Sequence, residues 1–122
     1  METPASGVFD LAESEIDALP FGLIGVDAAG TIEQYNAYES RLSRLSKDRV
    51  IGRNFFRDVA PCASVQEFQG RFERFVQETG DAAESFDFEF RFAFGRQFVN
   101  ITFVRSAKNR QIKILVNRYD AS

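Results

Sequence analysis

A single thiol, Cys62, is the strongest nucleophile this chain owns, because the sequence contains one cysteine and no histidine. It closes the run Val50-Ile-Gly-Arg-Asn-Phe-Phe-Arg-Asp-Val-Ala-Pro-Cys62. Upstream, Ile32-Glu-Gln-Tyr35-Asn-Ala-Tyr-Glu39 supplies a phenol and a carboxyl, and a hydroxyl follows at Ser43. Tyr35, Glu39 and Ser43 stand four residues apart, so wherever the chain is helical they line one side of it. Such a set can hold a charged oxygen by hydrogen bonds, and a carboxyl among them can give or take a proton. Taken alone, a lone cysteine is most often a small buried apolar residue, and a Tyr-Glu-Ser ladder is most often a solvated helix edge. Tyr35 and Glu39 follow an apolar strand, however, so one side of their helix must face the core.

The elements that must position these groups follow from periodicity. Leu11, Ile16 and Leu19 have roughly the spacing of a short amphipathic helix, and Pro20 stops it. Residues 1–20 are expected to form a helical cap ahead of one domain over residues 21–122. Phe21–Asp27 and Thr31–Tyr35 are extended and joined by a turn containing Asp27 and Gly30, which predicts a hairpin. Asn36 is placed to cap a helix running from Ala37 to about Leu45, and Ser46 opens a further short turn that ends before Gly52. Ser64 and Glu67 fit a capping box opening a helix to about Glu78, with Phe68, Phe72, Phe75 and Val76 on one face.

Three strands follow. Phe86, Phe88, Phe90, Phe92 and Phe94 alternate with other residues, a period of two that predicts five rings on one sheet face. Gly95-Arg-Gln97 is the expected turn into Phe98–Arg105, with Val99, Ile101 and Phe103 inward. Lys108-Asn109-Arg110 is the next turn, into Gln111–Asn117, with Ile112, Ile114 and Val116 alternating. An antiparallel meander of these three, joined by the first hairpin, makes a five-stranded sheet flanked by helices, an α+β arrangement.

Composition narrows function by exclusion. A length of 122 residues with 44% hydrophobic content and 14 Phe suits one domain with one core. A net charge of −3 argues against nucleic acid or an anionic membrane surface as partner. No apolar run approaches the ~20 residues that span a bilayer, and the N-terminus lacks a secretory pattern, so a cytoplasmic location is expected. Without histidine, Ser-His-Asp and Cys-His systems are excluded. One cysteine makes neither an internal disulfide nor a cysteine-rich zinc site. No phosphate-cradling or dinucleotide loop is present. The expectation is a protein that is not an enzyme.

The two motifs quoted above resemble the photoactive yellow protein family, small blue-light receptors of the PAS type. The resemblance covers nearly the whole chain, is dense over residues 21–62, and thins in the last three strands. It implies the PAS fold and a 4-hydroxycinnamic acid (p-coumaric acid) pigment held as a thioester on Cys62. It implies that Tyr35 and Glu39 hydrogen-bond the pigment's phenolic oxygen, and that Ser43, where threonine is usual, supports the tyrosine. Phe55, Phe90, Phe92 and Phe94 match pocket-lining positions. Three positions depart from the pattern: Leu45 replaces a shielding arginine, with Arg44 adjacent; Phe92 replaces a tyrosine; Phe94 replaces a methionine associated with dark recovery.

Physics asks for such donors. Holding a phenol as phenolate near neutral pH needs a downward shift of ~3 units, or about 4 kcal/mol. Two hydrogen bonds to the charged oxygen, at roughly 1.5–3 kcal/mol each, are of that size. Glu39 donates only if burial keeps it protonated. After light isomerises the pigment from trans to cis, the resemblance implies transfer of the Glu39 proton. A buried carboxylate without a partner is then expected, at a cost of several kcal/mol. The cap would open in response, toward a downstream signalling protein that the sequence does not identify, from a monomer or weak dimer. A pigment-free PAS module that binds a ligand or dimerises is the alternative, and a thiol redox switch at Cys62 a weaker one.

Overall fold

The computed structural model describes residues 5–119. Positions 1–4 of the expected cap and 120–122 of the expected domain lie outside the described residues. Five strands form one antiparallel sheet: β1 (Gly22–Val26), β2 (Ile32–Tyr35), β3 (Ala82–Phe92), β4 (Gly95–Ser106) and β5 (Asn109–Arg118). Their spatial order is β2-β1-β5-β4-β3. The last strand of the meander therefore pairs with the first strand of the hairpin, Ile24 opposite Ile114 and Gly22 opposite Val116. This is the α+β sheet the alternation predicts.

Among the described residues, four short α-helices punctuate the chain: α1 (Glu13–Asp17), α2 (Ala37–Ser43), α3 (Lys47–Val50) and α4 (Arg71–Phe75). On the inner sheet face, Ile24, Val99, Ile101, Phe103, Ile112, Ile114 and Val116 pack against Phe55, Phe56, Phe68 and Phe72 from the helical side. Phe68 is the hub, with ring centroids 5.0–6.1 Å from those of Phe55, Phe56, Phe86, Phe88, Phe90 and Phe103. Edge and tilted geometries dominate, as the ring quadrupoles favour. A smaller cluster sits around Ile16, Leu23, Val104 and Leu115, where Val8, Phe9 and Leu11 of the N-terminal segment pack.

Three local expectations need correction. The helix from Ala37 ends at Ser43, not Leu45, because Arg44 adopts the left-handed conformation (φ 63°). Ser64 does not cap a helix: its hydroxyl donates to the Phe56 carbonyl (2.6 Å), and the following turn starts after Val65 without a side-chain cap. That helix begins as a wide turn over Gln66–Gly70 and closes at Phe75, short of Glu78. Arg105 ends it there, its guanidinium donating to the Phe75 and Gly80 carbonyls at 2.7 and 2.8 Å.

The five-ring face is a four-ring face. β3 ends at Phe92 and pairs it with Gly95, leaving Phe94 in a two-residue turn, 40% exposed. The turns into β4 and β5 are Ala93-Phe94 and Ala107-Lys108, so Gly95 and Asn109, both expected in turns, are already in the ladder. Among the described residues, no helix is long and apolar enough to cross a membrane, and no group of three or more His, Cys, Asp or Glu is placed to hold a metal.

Candidate functional site

Helix α2 is held at its start by Asn36. This fully buried amide accepts the Glu39 and Leu23 N–H groups through Oδ1, both at 3.0 Å. Its Nδ2 donates to the Ile16 and Phe21 carbonyls at 2.9 and 3.0 Å. One side chain thus satisfies an orphan donor of the helix and ties α2 to β1 and to the N-terminal segment.

Fixed this way, α2 turns its Glu39 and Ser43 side inward. Tyr35, Glu39 and Ser43 are 1%, 2% and 3% exposed, so the ladder is not a solvated edge. The Tyr35 and Ser43 hydroxyls form a hydrogen bond of 2.7 Å, and Ser43 Oγ also accepts the Leu45 N–H at 3.3 Å. Burial, reinforced by the Glu39 charge, pushes the Tyr35 phenol well above its ordinary range, against the opposing pull of Ser43 and Arg118. Tyr35 therefore keeps its proton and remains a donor.

Glu39 is where the structure departs most from expectation. Its carboxylate is gripped at both oxygens by Arg118, Nη1 to Oε1 at 2.8 Å and Nη2 to Oε2 at 2.9 Å, with both side chains 3% exposed. Arg118 Nε donates to Gln97 Oε1 (2.8 Å), and Gln97 Nε2 donates to the Leu42 carbonyl of α2 (2.8 Å). A cation from β5 thus stands beside the Glu39 carboxyl, a partner absent from the sequence expectation. Burial pushes the Glu39 carboxyl above the usual carboxylate range, and the guanidinium pulls the other way. Gly22 of β1 makes the arrangement possible, since a Cβ there would run into Glu39 Oε1. Arg118 had a sequence signal. It continues the inward alternation Ile112, Ile114, Val116, and a charge on a core-facing position demands a partner.

The thiol is positioned by a separate set of contacts. Asn54 accepts the Phe56 and Arg57 N–H groups at 3.0 Å and donates to the Ala29 carbonyl at 2.8 Å. That pins the Phe55–Val59 turn to the first hairpin, and the Ser64 hydroxyl ties its Phe56 carbonyl forward. Between them Pro61–Ala63 makes one tight turn carrying Cys62. Cys62 is half-buried against the main core, its Sγ accepting the Arg91 N–H of β3 at 3.4 Å. Phe90, next to that contact, is 1% exposed, and Phe55 is 2% exposed.

Phe90, Phe92 and Phe94 form a continuous series, with centroids 5.3 Å apart for the first pair and 5.2 Å for the second, which is stacked at 10°. The Arg44 guanidinium covers Phe94 at 4.1 Å. Leu45 instead packs half-buried on the core.

A family model described as the PAS fold matches residues 11–120. Photoactive yellow protein of Rhodothalassium salexigens is 38% identical over 109 residues, 89% of this chain and 86% of that protein. Photoactive yellow protein of Halochromatium salexigens is 43% identical over 81 residues, 66% of this chain and 64% of that protein. The photoactive yellow protein domain of the sensor histidine kinase Ppr from Rhodospirillum centenum matches with a TM-score of 0.84 at 40% identity, covering 92% of this chain and 97% of that one. A PAS domain of an HTR-like protein from Haloarcula marismortui shares the fold, with a TM-score of 0.66 at 16% identity.

Proposed function

Because this chain belongs to the photoactive yellow protein family of the PAS fold, we propose that it is a blue-light receptor carrying a 4-hydroxycinnamoyl thioester on Cys62. The observation that carries the reading is the buried set on and beside α2, with the Tyr35 and Ser43 hydroxyls 2.7 Å apart and Glu39 one helical turn before Ser43, Tyr35 lying at the end of β2. The donor chemistry fits a phenolic oxygen: Tyr35 stays protonated, and Glu39 has its carboxyl raised by burial. The half-buried thiol against β3 and the rings of Phe55, Phe90 and Phe92 fit a flat aromatic acyl group.

When bound, the group supplies a light-driven trans-to-cis isomerisation of its double bond. Cys62 Sγ holds the acyl carbon, having lost its proton and displaced the activating group. Tyr35 and Glu39 donate to the phenolic oxygen, and Ser43 orients Tyr35. After illumination Glu39 gives its proton to that oxygen. The test is a visible spectrum of the pigment-free protein after adding activated 4-hydroxycinnamate. A colourless product would favour a pigment-free PAS module.

Output falls to the N-terminal segment, residues 1–20, acting as a cap on the domain of residues 21–122. Its described part is a six-residue 3-10 turn (Ala5–Asp10) and the five-residue α1, pieces too short to be stable alone. It is tied down by Glu13, which accepts from Lys47 (2.8 Å) and Gln34 (3.0 Å), by Asp17, which accepts the Ala37 N–H (2.9 Å), and by Asn36. The Glu13 contacts are exposed, and exposed ion pairs contribute little, so this segment opens before the sheet. Deleting residues 1–19 leaves the dark colour nearly unchanged and shrinks the light-induced change in amide exchange. An equally large change in the truncated protein would place the signalling element elsewhere. One solved relative is a domain of a sensor histidine kinase, which supports a signalling protein as partner and a sensory role.

Phe94 sets the pace of return. Stacked on Phe92 and covered by Arg44, its rigid ring has fewer ways to follow a moving neighbour than a thioether. Dark recovery after one blue flash is faster in Phe94→Met, about tenfold for each 1.4 kcal/mol of barrier removed. Equal or slower recovery would remove Phe94 from the gating role.

A further inference from the structure

The pair formed by Glu39 and Arg118 is a built site in its own right. Two parallel N–H···O bonds at 2.8 and 2.9 Å are the geometry a guanidinium makes with a carboxylate. Three further features hold it. Gln97 fixes the guanidinium through Nε and is itself anchored on the Leu42 carbonyl. Gly22 leaves the space in which the carboxylate lies. Arg118 also stands over the Tyr38 ring at 6.0 Å, on the same helix as Glu39. None of these contacts involves Cys62 or Phe90, so the pair has its own support, separate from the acyl-binding side of the site.

We infer that Arg118 is the receiving partner of the Glu39 carboxylate, a positioning residue that takes both oxygens when the Glu39 proton leaves and holds them until it returns. This rests on the reading of Glu39 as proton donor. The Oε–H bond of Glu39 breaks, the proton goes to the phenolic oxygen, and the electron pair stays on the carboxylate. The carboxylate then accepts the two Arg118 N–H groups instead of being stranded. A buried anion with a bidentate partner avoids most of the cost of an orphaned one. The illuminated state is thereby prolonged, and the impulse that opens the cap is softened.

Two experiments decide it. In the pigment-free full chain, a double-mutant cycle of Glu39→Gln and Arg118→Gln by denaturant unfolding at neutral pH measures the pair itself. The expected coupling is about tenfold or more in the unfolding constant, and less than about twofold would overturn the inference. Removing both partners together leaves no unpaired charge, so the double variant folds.

In the pigment-loaded protein, Arg118→Gln should recover in the dark about tenfold faster and shift the Glu39 carboxylate infrared bands of the illuminated state. Arg118→Lys should restore part of both. Unchanged recovery and unshifted bands would overturn the receiving role while leaving the photoreceptor reading intact. A chain that takes up no pigment would overturn both.

Discussion

Cys62→Ala stays colourless when given activated 4-hydroxycinnamate, while the unaltered protein turns yellow and gains the mass of one acyl group at Cys62. The effect is all or none because the chain has a single thiol, and an alanine methyl has no lone pair with which to attack a carbonyl carbon. The loss cannot be mistaken for unfolding. Cys62 is only half-buried and its Sγ makes one long contact, to the Arg91 N–H at 3.4 Å, so the substitution removes little packing. Unchanged circular dichroism in the variant checks this. Mass added at another residue, or none in the unaltered protein, sinks the thioester assignment.

Glu39→Gln is expected to keep the pigment and lose the proton transfer, since an amide donates a hydrogen bond but gives up no proton. Infrared difference spectra of the unaltered protein show a protonated carboxyl band lost on illumination; the variant lacks that band. If the band survives illumination in the unaltered protein, or disappears equally in the variant, the donor has been misassigned. The same substitution changes the pH dependence of the pigment-free protein. Burial raises the folded-state Glu39 pKa above its unfolded value, so the folded state binds more protons. The associated stability is fully present below the ordinary glutamate pKa and is lost as pH rises through the raised one. Relative to Glu39→Gln, the unaltered protein therefore loses stability with rising pH across that window and levels off above it. A difference flat with pH would mean that burial does not perturb Glu39.

Much of the site's supply was legible locally. The spacing of Glu39 and Ser43 reads directly as one side of a helix, and Asn36 reads as its cap, because both depend on neighbours within a turn; Tyr35 stands just ahead of that helix, at the end of β2. The inward strand sets, Val99, Ile101 and Phe103 with Ile112, Ile114 and Val116, follow from a period of two that needs no partner to be recognised. Local reading failed where a distant group competed for a local one. Ser64 has the residue type of a helix cap, but the free Phe56 carbonyl takes its hydroxyl. The helix after it ends at Phe75 because Arg105, 30 positions on, takes that carbonyl. Phe94 obeys the alternation and still leaves the face, since the hairpin needs two residues for its turn.

By itself the sequence determined the α+β architecture and the chemical inventory: alternating strands with short helices, one thiol, and a carboxyl and a hydroxyl in helical register with a phenol just ahead of them. These depend on residue types and short periodicities, which the chain carries whatever its three-dimensional path. Which state Glu39 occupies, and beside which ion, was decided only in the tertiary structure. Arg118 lies 79 positions from Glu39 and meets it because β5 pairs with β1, the strand that leads by way of β2 into α2, and because Gly22 on β1 leaves room for the carboxylate. Strand order sets that distance, and strand order arises from the joint packing of all five strands.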